Sequence, residues 1–346
     1  MSSEKRPKSQ LIGLNAKTGS SMEISGLSIA KVLYLTIRNH ALRISVKISK
    51  ENNNNRIHQG EPMSKIAVVT DSTTYLPADL VKKYNLSIAP QVLIWGEETY
   101  KDGVDIQSQE FFTKLKTTKV MPTTSQVSIP SFQDIFEKLV KQDYEVIALL
   151  VSAKLSGTNQ SATQARDLMG AAGEKVHIVD SQSVAMALGF QAMAVARAIE
   201  SGANLKDAIS LAERSHENTG VFFAVDTLEF LHRGGRIGGA QRFLGTMLNM
   251  KPILAIQDGR VEGIERIRTK SKAQDRVLEL VMEKIGGRSP VRVATLHANA
   301  ADEARALLDR AAKELNPVET IFTEVSPTVG THAGPGTVGL AFMAGM

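Results

Sequence analysis

Short apolar runs recur along the first half of the chain, each ending in small polar residues and each leading into a helical period. Ile66-Ala67-Val68-Val69-Thr70 reads as a buried strand that stops at Asp71-Ser72-Thr73-Thr74, residues 146–151 stop at Ser152, and residues 176–181 make a third. Phe111, Phe112 and Leu115 mark one face of a helix beginning near Ser108; Phe132, Ile135, Phe136 and Leu139 mark one face of a helix over 132–142. Residues 87–95, the turn Gly96-Glu97-Glu98 and Thr99-Tyr100 read as a hairpin or a strand–loop excursion. Thr74 or Asp79 is expected to help start a short helix after Leu76-Pro77, and Met121-Pro122-Thr123-Thr124-Ser125-Gln126 reads as a polar loop. Three strand–helix units with polar strand ends predict a three-layer α/β domain with a parallel sheet over 63–182.

After residue 182 the pattern changes. Ala-rich helices over 183–201 and 205–216 are separated by Gly202, and a strand over 221–225 runs into Asp226-Thr227, either of which can cap a short helix. Residues 252–268 read as a hairpin turning at Gln257-Asp258-Gly259-Arg260, and a helix follows over 270–285. Strand, helix and strand over 291–297, 301–314 and 319–325 complete an α+β domain, 183–346, with a mixed or antiparallel sheet and helices on one face. The chain ends in a glycine-rich loop, residues 327–339, and an apolar tail.

Composition alters this picture in one place. Residues 1–62 carry ten Lys or Arg against four Asp or Glu, so the net charge of +5 belongs to this stretch and the remainder is close to neutral. Glu51-Asn52-Asn53-Asn54-Asn55-Arg56 has no packing pattern, and residues 1–62 read as a weakly ordered basic extension, with a surface-seeking segment as the alternative. Met63 stands directly before the first strand, where translation could also begin. A near-neutral body without a basic stripe is a poor nucleic-acid binder. Zero cysteines exclude disulfides and thiolate chemistry and fit a cytoplasmic protein, and no apolar run has the length for stable membrane insertion.

Four residues carry candidate chemistry. Ser156, at the turn from strand to helix, is either a helix cap or part of an anion-holding sheet edge. Arg236, between the pairs Gly234-Gly235 and Gly238-Gly239, either meets an anionic ligand or pairs with a carboxylate between domains. Thr124 can point into a cleft, and His332 is placed to donate to an anion. Phe243, Leu244, Met247, Leu248 and Met250 form an apolar cluster that is either core or the slot for an apolar ligand. Ser156, His332 and Asp180 can be assembled into a hydrolase triad on paper, but no G-x-S-x-G surrounds a serine. Gly334-Pro335-Gly336-Thr337-Val338-Gly339 matches G-x-G-x-x-G without the following helix and acidic residue that a dinucleotide site needs, and the histidines have no metal-ligand spacing. Hydroxyl, guanidinium and imidazole donors without a carboxylate base suit holding a carboxylate better than cleaving a bond, so no cofactor and no catalytic residue is expected.

Six ordered segments, VTDSTTYLP, PTTSQ, SAKLSGTNQSA, IVDSQS, FLHRGGRIGG and THAGPGTVG, resemble the DegV family of bacterial fatty-acid-binding proteins over residues 64–346. The resemblance implies a parallel-sheet α/β domain and an α+β domain enclosing one long-chain fatty acid. It places the head-group residues on Thr124, Ser156 and His332, with Arg236 at or beside the site. It implies a carrier, not an enzyme, that presents the acid to a separate ATP-dependent fatty acid kinase, which makes acyl phosphate for phospholipid synthesis. An enzyme acting on an acyl or small anionic substrate, or a lipid-responsive regulator, is the alternative. After TTSQ this chain has Val127-Ser128-Ile129-Pro130, where the family pattern brings proline in sooner.

Overall fold

The computed structural model describes residues 65–245 and 250–346. The expectations for residues 1–62, for a start at Met63 and for Met247 and Leu248 lie outside the described residues.

The chain begins with β1 (Lys65–Asp71), α1 (Ala78–Lys83), β2 (Ser87–Ala89), β3 (Val92–Trp95) and β4 (Glu98–Lys101). The run over 87–95 is therefore two strands, and they join different sheets. Proline at 90 cannot donate to a ladder, and the chain switches sheets there. Next come α2 (Ser108–Thr117), β5 (Thr123–Ser125), α3 (Ile129–Val140), β6 (Tyr144–Leu150), α4 (Thr158–Leu168) and β7 (Val176–Asp180). Ser128 caps α3 through the Ser131 N–H, which starts that helix earlier than its aromatic face alone indicated. The expected caps of α1 are not used: Pro77 precedes it without a side-chain cap, and Thr74 donates instead to the Asp71 carbonyl.

Strands β2-β1-β6-β7 form a wholly parallel four-stranded sheet, and β4-β3-β5 form a small antiparallel one. The segment expected as a polar loop is thus strand β5, with Thr124 paired to Leu93. Its polar side chains misled the reading because an edge strand of three residues needs no apolar alternation.

Then follow α5 (Ala185–Glu200), α6 (Leu205–Arg214), β8 (Thr219–Ala224), α7 (Glu229–Arg233), β9 (Lys251–Gln257), β10 (Arg260–Ile267) and α8 (Lys270–Ile285). Leu228 precedes α7 without a side-chain cap; Thr227 accepts from the Glu229 N–H, and Asp226 pairs with Lys251 instead. The chain closes with β11 (Val291–His297), α9 (Ala301–Leu315), β12 (Glu319–Ile321), α10 (Pro327–Ala333) and β13 (Val338–Ala344).

The second sheet has the order β10-β9-β8-β13-β11-β12 and is mixed, since β12 alone runs parallel to its neighbour. The expected glycine-rich loop is the short helix α10, capped by Ser326. The expected apolar tail is β13, buried at every position in the middle of the sheet. A strand covered on both faces shows no alternation, so its sequence reads only as apolar.

Both faces of the mixed sheet are covered, which corrects the expectation of helices on one face. Phe222, Ala224, Ile253 and Ala255 pack under α8 and α9, whereas Val221, Phe223 and Leu254 face α5. Helix α5 is buried along nearly its whole length because the parallel sheet packs on its other side. The layers therefore run α3 and α4, parallel sheet, α5, mixed sheet, α8 and α9. Among the described residues no helix is long and apolar enough to cross a membrane.

Candidate functional site

Each expected site residue arrives by a different local device. Thr124 stands in β5. Ser156 lies in the turn after β6, one residue before Gly157, which stands at the helix N-cap and offers no side-chain cap. The cap reading of Ser156 is corrected by this geometry: its hydroxyl lies 2.8 Å from Thr158 Oγ1, and Gln91 Nε2 donates to that same Thr158 oxygen at 2.9 Å. Arg236 follows α7 in a turn that Gly235 makes possible by adopting φ +71°. His332 rides near the end of α10.

These four residues line one chamber. The rest of the lining is mainly apolar, with Val184 just before α5 and Val221, Phe223, Ile256, Val261 and Leu296 from the mixed sheet. Thr124 Oγ1 lies 2.7 Å from His332 Nε2, a bond that joins β5 to α10 across 208 residues of chain. Burial, followed by the positive charge of Arg236, holds the His332 pKa down to about 4, so the ring is neutral at physiological pH. Nδ1 is shut off from solvent and has no hydrogen-bond partner. With the proton on Nε2 the ring donates to Thr124, whose own hydroxyl hydrogen is then free for an oxygen in the chamber.

Glycine at 234 is required by this ring. A Cβ there would come within 2.1 Å of Nδ1, although the backbone conformation, φ −74° and ψ −9°, suits any residue. Arg236 does not pair with a carboxylate between domains, the second of its two expected partners. Its Nε donates to the Leu155 carbonyl at 3.0 Å and its Nη1 to the Gly234 carbonyl at 2.7 Å, and among the described residues no carboxylate neutralises it. A fixed, unneutralised guanidinium beside neutral hydroxyl and imidazole donors is a place for an anion.

The paper triad does not assemble. Asp180 accepts from the Ala153 and Gln182 backbone N–H groups, and His332 is bonded to Thr124 rather than to Ser156. The G-x-G-x-x-G match spans the turn from α10 into β13, so it opens no helix.

Thr73 and Ser125 also line the chamber, and so do Gln91 and Thr328, which sequence reasoning missed. Thr73 and Ser125 belong to segments already marked, VTDSTT and PTTSQ. Gln91 follows Pro90 in an unremarkable stretch, and only its contact with Thr158 brings it in. Asp71, at the end of β1, caps the turn over 72–74 and also accepts from the Val151 N–H at 2.7 Å, locking the ends of β1 and β6 together.

Asp102 was not singled out either. It is fully buried and accepts from the Ser72 hydroxyl at 2.6 Å and from the Thr328 N–H at 3.3 Å, so it anchors the first turn of the helix that carries His332. Burial pushes its pKa up to about 6 despite these donors.

A family model whose description reads "Uncharacterised protein, DegV family" matches residues 65–345. The chain belongs to the DegV family. It is 37% identical over 284 residues to a DegV domain-containing protein of Halalkalibacterium halodurans, covering 81% of this chain and 99% of that one. To Protein DegV of Bacillus subtilis it is 34% identical over 278 residues, 80% of this chain and 98% of that one. Among solved structures, a fatty-acid-binding DegV family protein from Thermus thermophilus superposes with a TM-score of 0.76 at 35% identity, covering 81% and 99% of the two chains. The structure of DegV from Bacillus subtilis, a fatty acid binding protein, gives 0.75 at 32% identity over 81% and 99%. The DegV fold of these structures, a parallel sheet with a mixed sheet, is the one described above for this chain.

Proposed function

We propose that this protein holds one long-chain fatty acid, its carboxylate between Thr124, Ser156, Arg236 and His332 and its tail in the apolar chamber. The observation that carries the reading is the 2.7 Å Thr124–His332 contact beside an Arg236 that no carboxylate neutralises, at the wall of a largely apolar chamber. Burying about 14 methylenes at roughly 0.8 kcal/mol each gives on the order of 11 kcal/mol before association costs. The tail therefore drives binding, and the head-group bonds orient the acid. The two relatives whose structures bind fatty acids support the assignment.

The same reading makes the protein a carrier in the cytoplasm. Thr124 and His332 form a hydroxyl–imidazole pair, but among the described residues no group orients the ring through Nδ1, so we assign the phosphoryl transfer that activates the acid to a separate ATP-dependent fatty acid kinase, whose acyl phosphate feeds phospholipid synthesis. Extraction of the purified full chain followed by mass spectrometry is expected to yield a fatty acid. Adding ATP and a fatty acid kinase to the loaded protein is expected to yield acyl phosphate, and neither component alone should do so. Turnover of an acyl substrate by the protein alone would replace the carrier with an enzyme.

A further inference from the structure

The chamber is separated from two outer clefts by thin walls. One wall is polar: Thr124, Arg236 and His332 line both the chamber and an open cleft that also touches Met121 and Phe230. The other wall is apolar, for Val221 and Ile256 line the chamber on one side and a second cleft on the other.

The register of the mixed sheet explains the second wall. Strands β8 and β9 pair at Phe222↔Ala255, Phe223↔Leu254 and Ala224↔Ile253, and no further. Val221 and Ile256 occupy the next position in that register, where the ladder has stopped. Beyond it β8 continues along β13 as far as Thr219↔Met343, and β9 continues along β10 to Gln257↔Arg260, so the seam between β8 and β9 opens. The cleft touches Phe222 and Ala255 from the α8 face as well as Val221 and Ile256 from the chamber face, so it passes through the sheet. Its remaining walls are polar and include Gln182, Glu217, Asp258 and Lys284.

We propose that Val221 and Ile256 form the end wall of the acyl chamber and set the longest chain the protein accepts. The inference rests on the fatty-acid reading above. Up to the wall, each added methylene finds apolar surroundings and raises affinity about fourfold; past it, the methyl end enters a polar cleft and the gain stops. Both side chains are β-branched and stiff at χ1, which suits a wall. Ile256 is half-buried, so it can be changed without emptying the core.

The test measures affinity of the full chain for a ladder of saturated fatty acids that differ by two methylenes. For the parent, affinity should rise about fifteenfold per step and then level off. Ile256→Ala should move the levelling point to longer acids, and Ile256→Phe should move it to shorter ones. Ile256→Val, a one-methyl change, should give a smaller shift of the same sign and covers the case in which the larger changes fail to fold. A parent profile that none of the variants moves, or a loss that is equal at every length, overturns the wall alone. No binding by the parent at any length overturns the fatty-acid reading and the wall with it.

Discussion

The two sides of the head-group site differ in how completely their polar groups are bonded. On the parallel-sheet side, Ser156 meets Thr158, Thr158 meets Gln91, and Asp71 takes three donors from Thr73 and Val151. On the mixed-sheet side, Arg236 is bonded only to two backbone carbonyls, and the Nε2–H bond from His332 leaves the Thr124 hydroxyl hydrogen free. A group already bonded gains little from a ligand oxygen, whereas an incompletely bonded one gains most. The first side is thus a frame, and the second is where head-group selectivity should reside.

The largest test of this contrast is Gly234→Ala. The added methyl would overlap His332 Nδ1 while the backbone accepts it, so the ring must turn away from Thr124. Fatty acid affinity should fall by roughly tenfold to a hundredfold, in line with the about 1–3 kcal/mol typical of overpacking. Titration calorimetry gives the affinity, and imidazole NMR resonances report the displaced ring; unchanged affinity with a displaced ring would remove His332 from the site.

A second test uses Asp102, which belongs to the first half of the chain but anchors the helix of His332. Burial has raised its pKa to about 6, so it contributes stability in acid that is lost as pH rises from about 4 through 6. His332 has the opposite sign: its folded pKa, about 4, lies below the ordinary value, so its contribution is lost as pH falls from about 6.5 towards 4. The two trends oppose each other. Asp102→Asn removes one of them, and urea unfolding should show the variant losing roughly 1–3 kcal/mol more than the parent between about pH 7 and about pH 4.5. Parallel pH profiles for variant and parent would show that Asp102 does not titrate in this window.

Ser156→Ala should have the smallest effect. Its hydroxyl is partly exposed and already bonded to Thr158, so binding should weaken by roughly threefold to tenfold, about 1 kcal/mol, with thermal stability almost unchanged. Kinase-dependent turnover should fall at least as much as affinity, because the residue orients the carboxylate. A loss as large as that of Gly234→Ala would erase the distinction between the two sides.

Much of this arrangement was legible along the chain. The strands ending at Asp71 and Asp180, the hairpin over 252–268 and the helix Lys270–Ile285 follow from local periodicity, turn chemistry and caps, which depend only on neighbours in sequence. Thr124, Ser156, Arg236 and His332 could be singled out because small polar or glycine-flanked residues at element ends are exposed to a cleft wherever the elements go. What each of them touches was not legible. The Thr124–His332 bond spans 208 residues and the Arg236–Leu155 bond spans 81, and no local pattern carries that information. The same holds for β13, an apolar tail in sequence and the middle of a sheet in space, and for α5, whose all-round apolar surface states that it is buried without stating that two sheets bury it. The residue types and most local conformations were thus determined by sequence alone, but not those of β5, α10 and β13, which it left as loops or a tail. Partners, burial and the satisfaction of each polar group were decided by tertiary packing, because they depend on surfaces brought together from distant parts of the chain.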